Sequence, residues 1–98
     1  MEIRTLKYFL AVAREQNMTE AANVLFVTQP TLSRQMADLE KELGKKLFVR
    51  TNRSTTLTEE GMHLRQRAEE ILALVDQTKE EIREDDMDLS GCIRIGAG

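Results

Sequence analysis

A regular stripe of side chains in the second half of the sequence most limits what this chain can fold into. Apolar, small or β-branched residues alternate there at spacings of four and three: Leu57, Gly61, Leu64, Ala68, Ile71, Val75, Thr78 and Ile82. This heptad pattern predicts one helix over residues 58–86, on the order of 40 Å long. The rest of so short a chain is too small to cover the whole stripe. Part of the helix is therefore expected to pack on a second copy of the chain, unless the stripe folds back on the first helix.

Two shorter helices are predicted at the start of the chain. Residues 2–16 have the spacing of one buried helical face, with apolar side chains at Ile3, Leu6, Phe9, Leu10 and Ala13. Asn17 then follows as a residue that tolerates the left-handed conformation at a helix end. Thr19 is expected to cap a second helix, whose small residues Ala21 and Ala22 let a neighbouring helix cross closely.

The next segment, VTQPTLSRQM followed by ADLEKEL, has clear signals for the start and end of a third helix. Thr28 is a good N-cap, although Gln29 could itself be the cap because a residue before proline avoids helical backbone angles. Pro30 is well placed in the first turn, where backbone N–H groups have no partner within the helix. Gly44 is a natural stop. The predicted buried stripe consists of Leu32, Met36, Leu39 and Leu43.

After this helix the pattern changes to two short strands. KKLFVR and TTLT flank the polar turn TNRS, which is typical of a hairpin. Three helices followed by a hairpin is the order of a winged helix-turn-helix. The predicted fold is therefore mainly α: a winged helix-turn-helix with a short two-stranded wing over residues 1–57, then the long linker and dimerisation helix over 58–86. Residues 87–98 are expected to hold a hinge and the first strand of a further C-terminal domain.

Charge is distributed unevenly along the sequence. The overall net charge of −3 by itself argues against a nucleic-acid binder. However, residues 1–57 hold nine Lys/Arg and six Asp/Glu, whereas residues 58–98 hold five and eleven. The positive excess comes from six residues after Thr28: Arg34, Lys41, Lys45, Lys46, Arg50 and Arg53. This asymmetry is typical of a polyanion-binding region beside a solvated arm, but it fits a basic and an acidic face on an ordinary helical protein about equally well.

The outward face of the third helix suits the major groove of DNA. If the apolar stripe is buried, the opposite face carries Pro30, Arg34, Ala37 and Lys41, flanked by Gln29, Thr31 and Ser33. Arginine can pair with guanine, glutamine with adenine, and a hydroxyl with base or phosphate. The other basic residues would lie towards the DNA backbone or a minor groove and would add affinity rather than sequence choice. They are Lys41, Lys45, Lys46, Arg50 and Arg53.

These residues also carry a family resemblance. The stretch LKYFLAVAREQNMTEAANVLFVTQPTLSRQMADLEKELGKKLFVR and the later LTEEG resemble the N-terminal DNA-binding region of a LysR-type transcriptional regulator. The resemblance runs from residue 1 to about residue 86. It implies sequence-specific DNA binding, with contacts from Thr28, Gln29, Pro30, Thr31, Ser33, Arg34, Arg50 and Arg53.

The same resemblance implies an assembly and a ligand. The long helices of two subunits would pair to form a homodimer through Leu64, Ala68, Ile71, Val75, Thr78 and Ile82. Members of the family usually assemble further into tetramers and bind an interrupted palindrome. They sense a small-molecule inducer through a C-terminal domain, which is expected to lie beyond this sequence. No cofactor is expected within residues 1–98.

Other functions find little support in the sequence. No apolar run approaches the length of a membrane span, and Cys92 is the single cysteine, which suits a reducing cytoplasm. No nucleophile–base pair, metal-ligand cluster or phosphate-binding glycine loop is present, so an enzyme is not expected. A helical protein–protein interaction module without sequence-specific DNA binding remains the alternative, and the net negative charge is its main support.

Overall fold

The computed structural model describes the backbone of residues 1–91 and the side chains of residues 1–84. The elements along the chain are α1 (Ile3–Glu15), α2 (Met18–Leu25), α3 (Gln29–Leu43), β1 (Phe48–Arg50), β2 (Thr55–Leu57) and α4 (Glu59–Gly91). The predicted mainly helical fold and the predicted order of elements are confirmed. Helix α4 continues beyond the expected end near residue 86, and the strand expected after it lies outside the described residues.

The junction between α1 and α2 differs from the prediction by one or two residues. Gln16, not Asn17, takes the left-handed conformation that ends α1, with φ 55°. Asn17 is extended instead, and its Oδ1 accepts a hydrogen bond from the Glu20 N–H at 2.8 Å. Thr19 therefore lies inside α2 and is not its cap. The physical reason is that Asn is at least as good an N-cap as Thr, and it comes two positions earlier.

Helix α3 begins and ends as predicted. Thr28 is its N-cap, with the Thr28 Oγ1 accepting from the Thr31 N–H at 3.3 Å, so Gln29 is the first helical residue despite the following proline. Gly44 ends the helix in the left-handed region at φ 71°, where a side chain would be strained. The buried stripe is shorter than expected, because Leu43 is 40% exposed at the end of α3, beyond the edge of the core.

The core lies where the three short helices meet the wing. Its largest fully buried side chains are Phe9, Val12, Leu32, Met36, Leu39 and Leu47. The rings of Phe9 and Phe48 lie 5.3 Å apart between centroids at a tilted angle, a favourable aromatic arrangement. Phe48 thereby anchors the first strand of the wing to the helices.

The wing is joined by hydrogen bonds to the end of α1 and to the start of α4. Strands β1 and β2 are antiparallel, with Arg50 opposite Thr55. The Thr55 N–H donates to the Gln16 carbonyl at 2.9 Å, which joins β2 to the end of α1. The Thr58 hydroxyl donates to the Lys46 carbonyl at 2.7 Å and accepts from the Gly61 N–H at 3.0 Å. Thr58 therefore caps α4, as predicted, and ties its start to the wing.

Helix α4 is anchored at its first turns and exposed further along. A Cβ added at Gly61 would meet the Leu47 carbonyl oxygen at 2.2 Å, so only glycine lets the backbones approach this closely. Leu64 packs against the core, and Ala68 is fully buried. Further along, Leu74 and Ile82 are exposed, Ile82 by 58%. The first part of the predicted stripe, with Leu64 and Ala68, thus packs on its own domain, whereas its far end, at Ile82, does not.

Candidate nucleic-acid interface

The structure brings the predicted DNA-contacting residues onto one surface made by α3 and the wing. Thr28, Gln29, Pro30, Thr31, Arg34 and Lys41 are exposed on α3, where Ser33 is half-buried, and Arg50 and Arg53 are exposed on the wing. An open groove of about 800 Å³ separates the two elements. Its lining includes Ser33, Arg34, Ala37, Lys46, Val49 and Arg50. Because the side chain of Ala37 is small, it leaves this part of the α3 surface open to close approach.

The first turn of α3 is held by its own hydroxyl groups. The Thr28 hydroxyl caps the helix and donates to the Thr31 Oγ1 at 2.7 Å. Capping is therefore one role of Thr28 in the free chain. An exposed helix N-terminus with ordered hydroxyls around it is well suited to an incoming phosphate.

Ser33 joins α3 to the wing. Its Oγ accepts hydrogen bonds from the Gln29 Nε2 at 3.1 Å and from the Arg50 Nη1 at 3.3 Å. A serine hydroxyl that accepts two bonds still has its own proton to donate. Gln29 keeps its amide oxygen and one N–H, the two groups that a bidentate contact with adenine requires. Arg50 is thus directed towards α3 rather than away from the domain.

The positive charge of this surface is largely uncompensated. Among the side chains that the structure describes, those of Arg34, Lys41 and Arg53 make no ion pair or hydrogen bond. Lys46 is the exception, because its Nζ lies 3.9 Å from the Glu40 Oε1. Exposed cations without acidic partners are available to neutralise phosphates.

Two residues that position this surface were missed by the sequence reasoning. The Glu40 Oε2 accepts from the backbone N–H groups of Leu47 at 2.8 Å and Phe48 at 3.2 Å, which fixes the start of the wing to α3. The Thr51 hydroxyl holds the turn at the tip of the wing. A signal existed for each: Glu40 stands four residues after Met36 beside the buried face, and Thr51 and Ser54 have the spacing of a hydroxyl-stabilised turn.

The residues predicted to form the dimer contact do not all remain available. Ala68 is fully buried within the single chain, so its place in that contact is corrected: its small side chain lets α4 lie close against its own domain. Leu64 is half-buried and also packs on that core. Ile71 and Val75 are half-buried, and Thr78 and Ile82 are exposed. These last four residues, Ile71, Val75, Thr78 and Ile82, are named the α4 seam below.

Within residues 1–84, no group of three or more His, Cys, Asp or Glu side chains is arranged to hold a metal ion. In the same part of the chain, no helix is long and apolar enough to cross a membrane. Cys92 lies outside the described residues.

The helix-turn-helix, the antiparallel wing and the cationic face of α3 together define a winged helix-turn-helix of the DNA-binding kind. Residues 3–62 match the model of the bacterial regulatory helix-turn-helix proteins of the lysR family. The chain belongs to this family, and the sequence-based resemblance is confirmed.

Named relatives and a solved structure agree with this assignment. The chain is 46% identical over 96 residues to the HTH-type transcriptional regulator BudR of Klebsiella aerogenes, covering 98% of this chain and 67% of BudR. It is 42% identical over 98 residues to the HTH-type transcriptional regulator BsdA of Bacillus subtilis strain 168, covering 99% of this chain and 34% of BsdA. The crystal structure of the BenM DBD/catB site 1 DNA complex matches with a TM-score of 0.82 and 44% identity, over 86% of this chain and 93% of that one.

These comparisons bear on the class of function. The chain spans about a third of the length of BsdA, and about two thirds of that of BudR. Both relatives are transcription regulators, which confirms the expectation of a regulator rather than an enzyme. The alternative of a protein-interaction module without DNA binding is not favoured.

Proposed function

We propose that this chain reads a specific double-stranded DNA site by placing the N-terminal half of α3 in the major groove. The observation that carries the proposal is the exposed face of α3 with Gln29 and Arg34, next to a groove whose lining holds three cations, Arg34, Lys46 and Arg50, and one acid, Glu40. The DNA in the complex formed by the similar BenM domain supports the same use of the fold here.

The residues of this surface divide into two roles. Gln29 and Arg34 have the side chains that pair with base edges, and they stand on the exposed first two turns of α3. Thr28, Pro30, Thr31 and Ser33 surround them and contact phosphate or base. Lys41, Arg50 and Arg53 lie further out and bind the backbone, with the wing on the backbone or a minor groove.

The α4 seam is proposed to pair two copies of the chain. Its four side chains are incompletely covered in the single chain, and heptad spacing is typical of helices that pair. A two-fold symmetric dimer would bind an interrupted palindrome with half-sites about one helical turn apart, or a multiple of it. The proposed domains are residues 1–57 for DNA binding, 58–86 for dimerisation, and 87–98 as a hinge and the start of a C-terminal effector-binding domain, with α4 itself continuing to Gly91.

The remaining proposals concern the longer protein to which such a chain would belong. By family membership, that protein would be a cytoplasmic regulator that assembles as a dimer or tetramer and binds its inducer in a C-terminal domain. Residues 1–98 would need no cofactor to bind DNA.

Selection of bound duplexes from a random pool at near-physiological salt tests the proposal, with this chain as bait. Enrichment of a two-fold symmetric site would support both groove reading and pairing through the α4 seam. Enrichment of a single half-site would support α3 and contradict pairing within residues 1–98. Binding without enrichment that disappears as salt rises would leave only electrostatic attraction and would contradict sequence-specific reading.

A further inference from the structure

The tip of the wing, residues 51–54, has an ordered conformation that packing does not explain. Thr51, Asn52 and Arg53 are exposed, and Ser54 is half-buried. None of these side chains enters the core. A turn without buried side chains needs another source of order, because fixing each residue costs about 1–2 kcal/mol of conformational entropy.

The Thr51 side chain supplies that order through three hydrogen bonds. Its Oγ1 accepts from the Ser54 N–H at 3.0 Å and from the Arg53 N–H at 3.3 Å, and its hydroxyl donates to the Ser54 carbonyl at 3.1 Å. The Thr51 N–H also donates to the Ser54 carbonyl, at 2.8 Å. The Thr51 hydroxyl therefore makes hydrogen bonds with backbone groups of both Arg53 and Ser54.

We propose that Thr51 is a positioning residue for Arg53: its hydroxyl fixes the backbone of the turn, and thereby the place from which the Arg53 side chain reaches a DNA phosphate. The inference rests on the proposed function, because it assumes that Arg53 contacts DNA. Among the described residues, the Arg53 side chain has no ion-pair or hydrogen-bond partner that could orient it instead. Its placement thus depends on the backbone of the turn, which Thr51 controls.

Loss of the Thr51 hydroxyl is expected to weaken DNA binding more than it destabilises the fold. If the hydroxyl is removed, the N–H groups of Arg53 and Ser54 can bond to water, so the free chain loses little stability. The turn becomes mobile, however, and DNA binding must then order it again. The expected result is a weaker complex formed by a domain that is still folded.

The test uses residues 1–98 and a duplex of random sequence of roughly 40 base pairs, a length of about four helical turns. Thr51→Val removes the hydroxyl and keeps the β-branched shape, whereas Thr51→Ser keeps the hydroxyl. Thr51→Val is expected to raise the Kd by roughly 3- to 10-fold, and Thr51→Ser to leave it close to the parent value. The melting temperature of both variants should stay close to that of the parent.

A double-mutant cycle with Arg53→Ala separates positioning from direct contact. If Thr51 acts through Arg53, Thr51→Val will not weaken binding further once Arg53 is replaced by alanine. The same loss in both backgrounds would mean that Thr51 contacts the DNA itself, and this would overturn the inference. An unchanged Kd for Thr51→Val alone would overturn it as well.

A measurement without DNA keeps the inference separate from the proposed function. In ¹⁵N relaxation of the free chain, the order parameters of Arg53 and Ser54 should fall in Thr51→Val from about 0.85 towards about 0.6. Unchanged order parameters would overturn the inference even if the parent binds DNA. A parent chain that binds no duplex at any salt concentration would overturn the proposed function, and the inference with it.

Discussion

Two side chains of α3, those of Gln29 and Arg34, are proposed to carry most of the sequence preference. On the exposed face of α3, Gln29 is already hydrogen-bonded to Ser33, while Arg34 has no partner among the described side chains. Arg34 can therefore turn towards a guanine without breaking a bond in the free chain. Gln29 is thus oriented by a neighbour in the free chain, whereas Arg34 would be oriented only by the DNA that it is proposed to contact.

Replacing Arg34 by alanine is expected to weaken binding to the selected site by about 1–3 kcal/mol and to relax the base preference at one position. Lys46→Ala is the comparison, because Lys46 carries charge beside the same groove and is proposed to contact phosphate. It should weaken binding to all duplexes alike and reduce the salt dependence. Titration of selected and scrambled duplexes at several salt concentrations distinguishes the two. An Arg34→Ala chain with the parent's affinity for its best site would contradict the assignment of α3 as the reading helix.

A second residue-scale prediction concerns Gly61. Within a helix, Gly→Ala usually stabilises by about 0.5–1 kcal/mol. Here the added Cβ would lie 2.2 Å from the Leu47 carbonyl oxygen and 3.0 Å from the Leu57 Cδ2, so Gly61→Ala should instead destabilise by about 1–3 kcal/mol. Urea unfolding followed by circular dichroism measures the change, with Glu60→Ala as the exposed neighbouring control. A more stable Gly61→Ala chain would show that α4 does not approach Leu47 so closely.

At the scale of elements, the relation between α3 and the wing depends on one carboxylate. Glu40 is only 13% exposed and accepts two backbone N–H groups at the start of β1. Because the wing carries Arg50 and Arg53, the same carboxylate sets where those cations stand relative to α3. The wing, which is proposed to bind the DNA backbone, is thus placed by a residue of α3, the helix proposed to read the bases.

Glu40→Ala should destabilise the domain by about 1–3 kcal/mol, since two partly buried N–H groups lose their acceptor. Asp38→Ala is the matched control: it lies on the same helix, is exposed, and accepts no hydrogen bond from the described side chains. Chemical denaturation of both variants measures the difference. Equal stability of the two would show that water replaces the Glu40 carboxylate without cost.

How much could be predicted from the sequence also depends on the element. The bounds of α3 were predictable because Thr28, Pro30 and Gly44 act on their own backbone neighbours. Leu43 was placed wrongly in the core because periodicity records which face a residue occupies, not where the core ends. Ala68 was placed in the dimer contact for a similar reason, since one heptad stripe serves two different neighbours. Glu40 was missed because its partners are seven and eight residues away, across a chain reversal.

At the scale of the whole molecule, the exposed end of the α4 seam, at Thr78 and Ile82, is predicted to control assembly without supporting the fold. Ile82→Glu places a charge on the seam at a side chain that is 58% exposed and lies outside the core. It should shift the dimer towards monomer while the melting temperature of the protomer stays the same. Ala73→Glu makes the same change in charge on the opposite face of α4, which is also exposed. Sedimentation velocity at several concentrations compares the two, and an equal shift in both would place the contact elsewhere.

The burial of Ala68 has a mechanical consequence. Because Gly61, Leu64 and Ala68 fix α4 to its domain, the free half of this helix extends from the same domain that presents α3, the helix proposed to read DNA. A partner that pairs with the far end of α4 would set the direction in which α3 points. The packing of the α4 seam would then determine the distance and angle between two half-sites. A small rotation there would move α3 along the groove, with no change in any residue that touches DNA.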